Sequence, residues 1–326
     1  MNRRRVLTSV AALAASLGGR GAALAQPGAS QVIRMLVPIA PGGAVDPYAR
    51  VIAEHMARTL GRSIIVDYKP GAAGNLGTLF AAQEPADGSL ILVTTQAITE
   101  INPSSFNDIK WTLDQFIPLI RGVEAPLVLV ANPGVPAQSL DELLAWIRQN
   151  RGKLTYSSYS AGTPSHFLGA QLNRKFDLDL VHVPSKGSGF QATELTAGHV
   201  MFGFAQMQST LALVRDGRLK AIAVTSEKRS RYLPHVKSFA ELGHGEFTAR
   251  VWFGLMLRAG TPPAVVEMLL SAAKAAHADR EVTAKLEALT FDVSGQSGPE
   301  FVADIKAQAA RWATLVKATG FKPGGG

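Results

Sequence analysis

From Val32 onward the chain alternates apolar, β-branched runs with amphipathic stretches, almost without a break. Residues 32–37, 64–68, 90–94, 127–131, 154–158, 178–183, 200–205, 219–225 and 251–257 read as strands. Residues 47–60, 75–83, 140–150, 164–175, 190–197, 208–215, 263–276, 281–289 and 299–318 read as helices, several with start and stop residues of their own. Strands that alternate with helices predict an α/β fold, because parallel neighbours need a crossover and helices supply it. The strand signals are too many for one open sheet, so two lobes with parallel-rich sheets are expected. Prolines and "ANPGVP" interrupt the rhythm at 125–135, the expected first crossing, and "LGHGEF" marks the return near 245–252. That gives lobe 1 as 31–130 plus 251–326 and lobe 2 as 131–250. A looser region runs from Thr99 to Val123, around Pro103 and Pro118.

Three strand-to-helix junctions are rich in glycine. The first, "APGGAVDP" at 40–47, offers Gly42 and Gly43, with Asp46 as the expected cap and Pro47 as the first helical residue. The second, "KPGAAGNLGT" at 69–78, places Gly71, Gly74 and Gly77 around Asn75. The third, "SSYSAGTPSH" at 157–166, adds the hydroxyls of Ser157, Ser158 and Ser160 and sets Thr163 before Pro164. In α/β sheets ligands bind beyond the carboxyl ends of the strands, where helix N-termini present unpaired N–H groups and partial positive charge. These junctions therefore predict an anion held by backbone.

Composition narrows the alternatives. The chain has no cysteine, which excludes disulfides, thiolate chemistry and cysteine-based zinc sites. Residues 1–25 read as an export signal: a basic start, an apolar run from Val6 to Leu17, and Ala23-Leu24-Ala25 as the cleavage site. Arg3-Arg4 or Arg4-Arg5 before Val6-Leu7 resembles a twin-arginine signal; the general secretory route stays equally open. Either route predicts a periplasmic mature protein. Without that segment the formal charge falls from +8 to +4, with 29 basic residues left against 25 acidic. The remaining chain, mildly basic with no Lys/Arg run longer than two, is a poor nucleic-acid footprint and suits an anionic small molecule.

The motifs "VPIAPGGAVDPYARVIAEHM", "GRSIIVDYKPGAAGNLGT", "PADG", "LTYSSYSAGTPSHFLGAQL", "VHVPSKGSG", "LKAIAVTSEKRS" and "WFGLMLRAGTPPAVVEML" follow one another in order. Together they resemble the Bug family, the extracytoplasmic solute receptors of tripartite tricarboxylate transporters, from about residue 32 to the C-terminus. The resemblance implies a type II periplasmic-binding-protein fold, two lobes joined by crossing strands and closing over a carboxylate. It implies membrane transporter subunits as partners, a monomeric receptor, no cofactor and no metal. By position it implies ligand contacts from Gly42, Gly43, Ala44, Val45 and Asp46, from Gly74 and Asn75, and from Ser158, Ser160, Ala161, Gly162, Thr163 and His166. Family members carry an aromatic residue where this chain has Ser185, counted here with the ligand-binding positions, and proline at Phe190. With "GHVMFGFAQ" at 198–206 replacing an acidic stretch, Phe190, Phe204 and Met207 are expected to give a more apolar pocket or to serve the core.

Two other readings stay open. Ser158-Tyr159-Ser160-Ala161-Gly162 approximates a nucleophile elbow, which with Asp179 or Asp216 and His235 or His244 describes a serine hydrolase using Ser160. An exported receptor passing its signal to a membrane sensor kinase is the other.

Overall fold

The computed structural model describes residues 32–321; the export signal read over 1–25 lies outside them. In chain order the elements are β1 Val32–Val37, α1 Val45–Leu60, β2 Ser63–Tyr68, α2 Asn75–Gln83, β3 Leu90–Thr95, α3 Asn102–Ser105 and β4 Phe116–Ala131. They continue with α4 Leu140–Gln149, β5 Thr155–Ser158, α5 Pro164–Phe176, β6 Val181–Pro184, α6 Ser188–Ala197, β7 Phe202–Gln206, α7 Met207–Arg215 and β8 Lys220–Val224. The last are β9 Arg250–Arg258, α8 Pro263–Ala278, α9 Arg280–Ala288, β10 Asp292–Ser297 and α10 Gly298–Thr319. A one-turn π-helix, Ala97–Ile101, follows β3.

The strands form one curled mixed sheet, ordered β2-β1-β3-β9-β4-β7-β5-β6, with β8 and β10 also paired to β4. β1 is parallel to β2 and β3, and β5 to β6 and β7. These are the βαβ units that the alternation predicts. β4 is the long strand between them. As far as Pro126 it pairs antiparallel with β9, and β10 runs along part of that stretch. Over 127–131 it pairs instead with β7 and β8. The expectation of a loose region up to Val123 is corrected here: β4 starts at Phe116 and runs through Pro118 and Pro126. Its register shifts beside Pro118, and Pro126 sits where the strand exchanges partners, so neither missing N–H breaks a continuous ladder.

Burial follows the helical period. α1 buries Tyr48, Ala49, Ile52, Ala53 and Met56 on one stripe, and Gly61 in the left-handed region (φ 62°) stops it. On the opposite face Leu36, Leu92, Trp111, Phe301 and Ile305 form a second core. Phe204, Phe239 and Phe247 stack on one another in the core, with centroids 4.8 to 6.5 Å apart. Among the described residues no helix is long and apolar enough to cross a membrane.

Candidate functional site

Five helices, α1, α2, α5, α6 and α7, begin where a strand has just ended, and their starts gather around one cavity of about 370 Å³. Gly43, Ala44 and Val45 come from the β1–α1 turn, Gly71 and Gly74 from the β2–α2 turn, and Ser160, Gly162 and Thr163 from the β5–α5 turn. Lys186, Gly187 and Ser188 open α6, Gln206 precedes α7, and Thr95, Gln96 and Val251–Phe253 complete the wall. None of these five helices takes a side-chain cap. Of the helices that start away from the cavity, α4 and α9 are capped by Ser139 and Asp279, whereas α8 and α10 take no side-chain cap either. Among the described residues Lys186 is the one charged residue on the lining, and no acidic residue is there.

The β1–α1 turn departs from expectation in its capping. α1 begins at Val45 with Ala44 in the cap position, so Asp46 lies inside the first turn and does not cap. Its carboxylate accepts from Gly42 N–H at 3.3 Å, from Arg50 Nε at 2.7 Å, and from the Tyr68 hydroxyl on β2. Burial alone would raise its pKa. The bonds from Tyr68, Gly42 and Arg50 outweigh that and hold it below the ordinary range. Neither Gly42 nor Asp46 lines the cavity; they shape the turn that does.

The β5–α5 turn is tied internally. The Ser160 carbonyl accepts from Ser158 Oγ at 2.9 Å and from Thr163 Oγ1 at 2.6 Å. Thr163 occupies the cap position of α5, but its hydroxyl serves this turn and not the helix. Gly162 N–H donates to His166 Nδ1 at 3.2 Å. His166 stacks on His182 at 3.9 Å between centroids. Burial pushes His166 down to about 4; burial, then the neighbouring His166, takes His182 to about 3. Several glycine amides are thus already engaged, Gly74 to Gly71 and Gly187 to Tyr159 among them. Gly43, Ala44, Ser160 and Thr163 differ: among the described residues their peptide N–H groups have no partner, and all four line the cavity.

Other expected positions lie behind this surface. Asn75 accepts from Asn102 Nδ2 and Trp111 Nε1 at 3.0 and 3.1 Å. His166 borders a separate cavity with Arg174 and Asp179. Ser158 is buried, Ala161 is off the lining, and Ser185 turns its hydroxyl to Glu194. Of the two roles expected of Phe190, Phe204 and Met207, pocket or core, the pocket is not the one found. Phe204 and Met207 belong to the core, and Phe190 is 63% exposed and off the lining. Gln96, Gln206, Trp252 and Phe253 were missed by sequence reasoning, since strand ends of this kind carry no local signature.

The hydrolase geometry does not assemble. Ser160 Oγ donates to the Ala161 carbonyl at 3.4 Å, and no histidine partners it among the described residues. The serine that meets a histidine is the buried Ser158, 2.7 Å from His182 Nε2. No cluster of His, Asp and Glu suited to a metal ion occurs among the described residues.

A curled α/β sheet with uncapped helix starts and uncovered amides around one cavity defines a solute-binding receptor. More closely, the chain belongs to the tripartite tricarboxylate transporter family receptors, whose sequence model matches residues 48–321. It is 32% identical to protein BugT of Bordetella pertussis, over 99% of either chain. The periplasmic binding protein BugD is 30% identical with a TM-score of 0.80, covering 89% of this chain and 98% of its own. MatC from Rhodopseudomonas palustris with bound malate is 27% identical with a TM-score of 0.78, covering 87% and 98%.

Proposed function

We propose that the protein captures a small organic carboxylate in this cavity, in the periplasm, and delivers it to the membrane subunits of a tripartite tricarboxylate transporter. The observation that carries the reading is the set of N–H groups at Gly43, Ala44, Ser160 and Thr163 that are unpaired among the described residues, on a lining to which no described acidic residue contributes. A carboxylate there receives charge-assisted hydrogen bonds worth about 1.5–3 kcal/mol each. Four of them, with the partial positive charge of the helix starts, offset the cost of association and leave binding near the micromolar range, about −8 kcal/mol. The cavity volume of about 370 Å³ suits a small acid. The malate in MatC supports the same class of guest.

On this reading the lobes are 31–130 plus 251–326 and 131–250, hinged where β4 exchanges β9 for β7 and β8. Closure follows the guest's preference for the closed form. A thermal-shift screen against organic acids tests the proposal. A binding acid raises the melting temperature as its concentration exceeds Kd. Silence from every acid, together with labelling of Ser160 by an activated-ester probe, would reverse it in favour of a hydrolase.

A further inference from the structure

Glu100 sits in the π-helix Ala97–Ile101, 1% exposed. Its Oε1 accepts from Trp252 Nε1 at 2.8 Å, and the Gln96 side chain, one turn earlier, is the next polar group acting on it. Its Oε2 is buried with no partner among the described residues. Trp252 and Gln96 both line the cavity, so this acid stands one side chain behind the surface that a guest touches.

The charged groups acting on it are Arg121 of β4 and Asp304 and Arg311 of α10. Arg121 is paired with Asp304 and with Glu124. Arg311 donates to the Glu246 carbonyl at 2.9 Å. β9 meets the acid through the indole of Trp252. A carboxylate here would lose its hydration for one N–H donor, from Trp252, and no dedicated cation.

We propose that Glu100 positions Trp252 as an uncharged acid, and that its ionisation weakens the cavity for anionic guests. The inference rests on the carboxylate reading above and adds a proton to it. Burial, against the smaller pull of Trp252, Gln96 and Arg121, pushes the acid up to about 8, so it is neutral when it supports binding. Losing its proton to solvent places a negative charge behind the guest. By linkage, a bound anion raises the proton affinity of Glu100 by the factor that ionisation lowers the affinity for the anion.

The test is a calorimetric titration of the protein and of Glu100→Gln with malate between pH 6.5 and 9.5. In the unaltered protein the affinity is level at the acid end and about fivefold weaker at the alkaline end, with the turn near pH 8. In Glu100→Gln, which keeps an oxygen for Trp252 and has no proton to lose, it is level throughout. Buffers of different ionisation enthalpy reveal proton uptake on binding at pH 8.5 in the unaltered protein, independently of any variant. Intact binding with no pH dependence, or an equal slope in the variant, overturns this inference alone. Failure of malate and of a wider set of acids to bind at any pH overturns the carboxylate reading and the coupling with it.

Discussion

Asp46 stands beside a proposed anion site, where a negative charge is out of place. Its bonds resolve the conflict. Arg50 neutralises it, while Gly42 N–H and the Tyr68 hydroxyl knot the β1–α1 turn to β2. The residue therefore shapes the turn that presents the amides of Gly43 and Ala44. Asp46→Ala is expected to weaken malate binding about tenfold, or about 1.4 kcal/mol, and to leave the protein folded; unchanged affinity by calorimetry contradicts that role. Because its folded pKa is depressed, the Asp46 contribution is present above the ordinary carboxylate range and is lost as pH falls below it.

At the scale of elements, close backbone approach sets the cavity wall. Gly77 in α2 faces Pro38 and Lys69: a Cβ there would meet the Lys69 carbonyl at 2.5 Å and Pro38 Cβ at 2.7 Å. Pro38 lines the cavity. Gly77→Ala is expected to push α2 off β1, costing about 1–3 kcal/mol, seen as a lower melting temperature and weaker malate binding. An unchanged melting temperature would contradict it. The same packing explains what could be read from the sequence. β1 and α2 coincide with the expected bounds because an apolar run and a glycine-flanked helix leave one solution. β4 was foreseen only over 127–131, since Pro118 and Pro126 look like breaks until their places at a register shift and a partner exchange are seen. β10, with "DVSGQS", lacks apolar alternation altogether. In the site the glycine turns were legible. The bonds that occupy Gly42, Gly74, Gly162 and Gly187 depend on side chains and turns folded beside them, which residue spacing does not encode.

For the whole molecule, buried titratable groups bound the pH range. His166 and His277 are held at about 4 and His182 at about 3, chiefly by burial. The unfolded chain takes up these protons near pH 6.5, so stability is full above that and falls as pH drops toward 4. Glu100 acts at the other side. Unfolded it ionises near 4.5 and folded at about 8, so its cost grows between those values as pH rises. Below pH 6.5 the three histidines outweigh the one acid and above it only the Glu100 cost still grows, so the melting temperature is expected to peak near pH 6.5, and Glu100→Gln to raise it more at pH 8 than at pH 5; an equal gain at both contradicts the assignment. The most direct measurement on the binding site itself is an amide-resolved NMR titration with malate and, separately, with its uncharged diamide. Saturable shifts are expected at the amides of Gly43, Ala44, Ser160 and Thr163 with the acid and none with the diamide. Equal binding of the diamide, or an acid that binds and leaves those four amides unmoved, would contradict it.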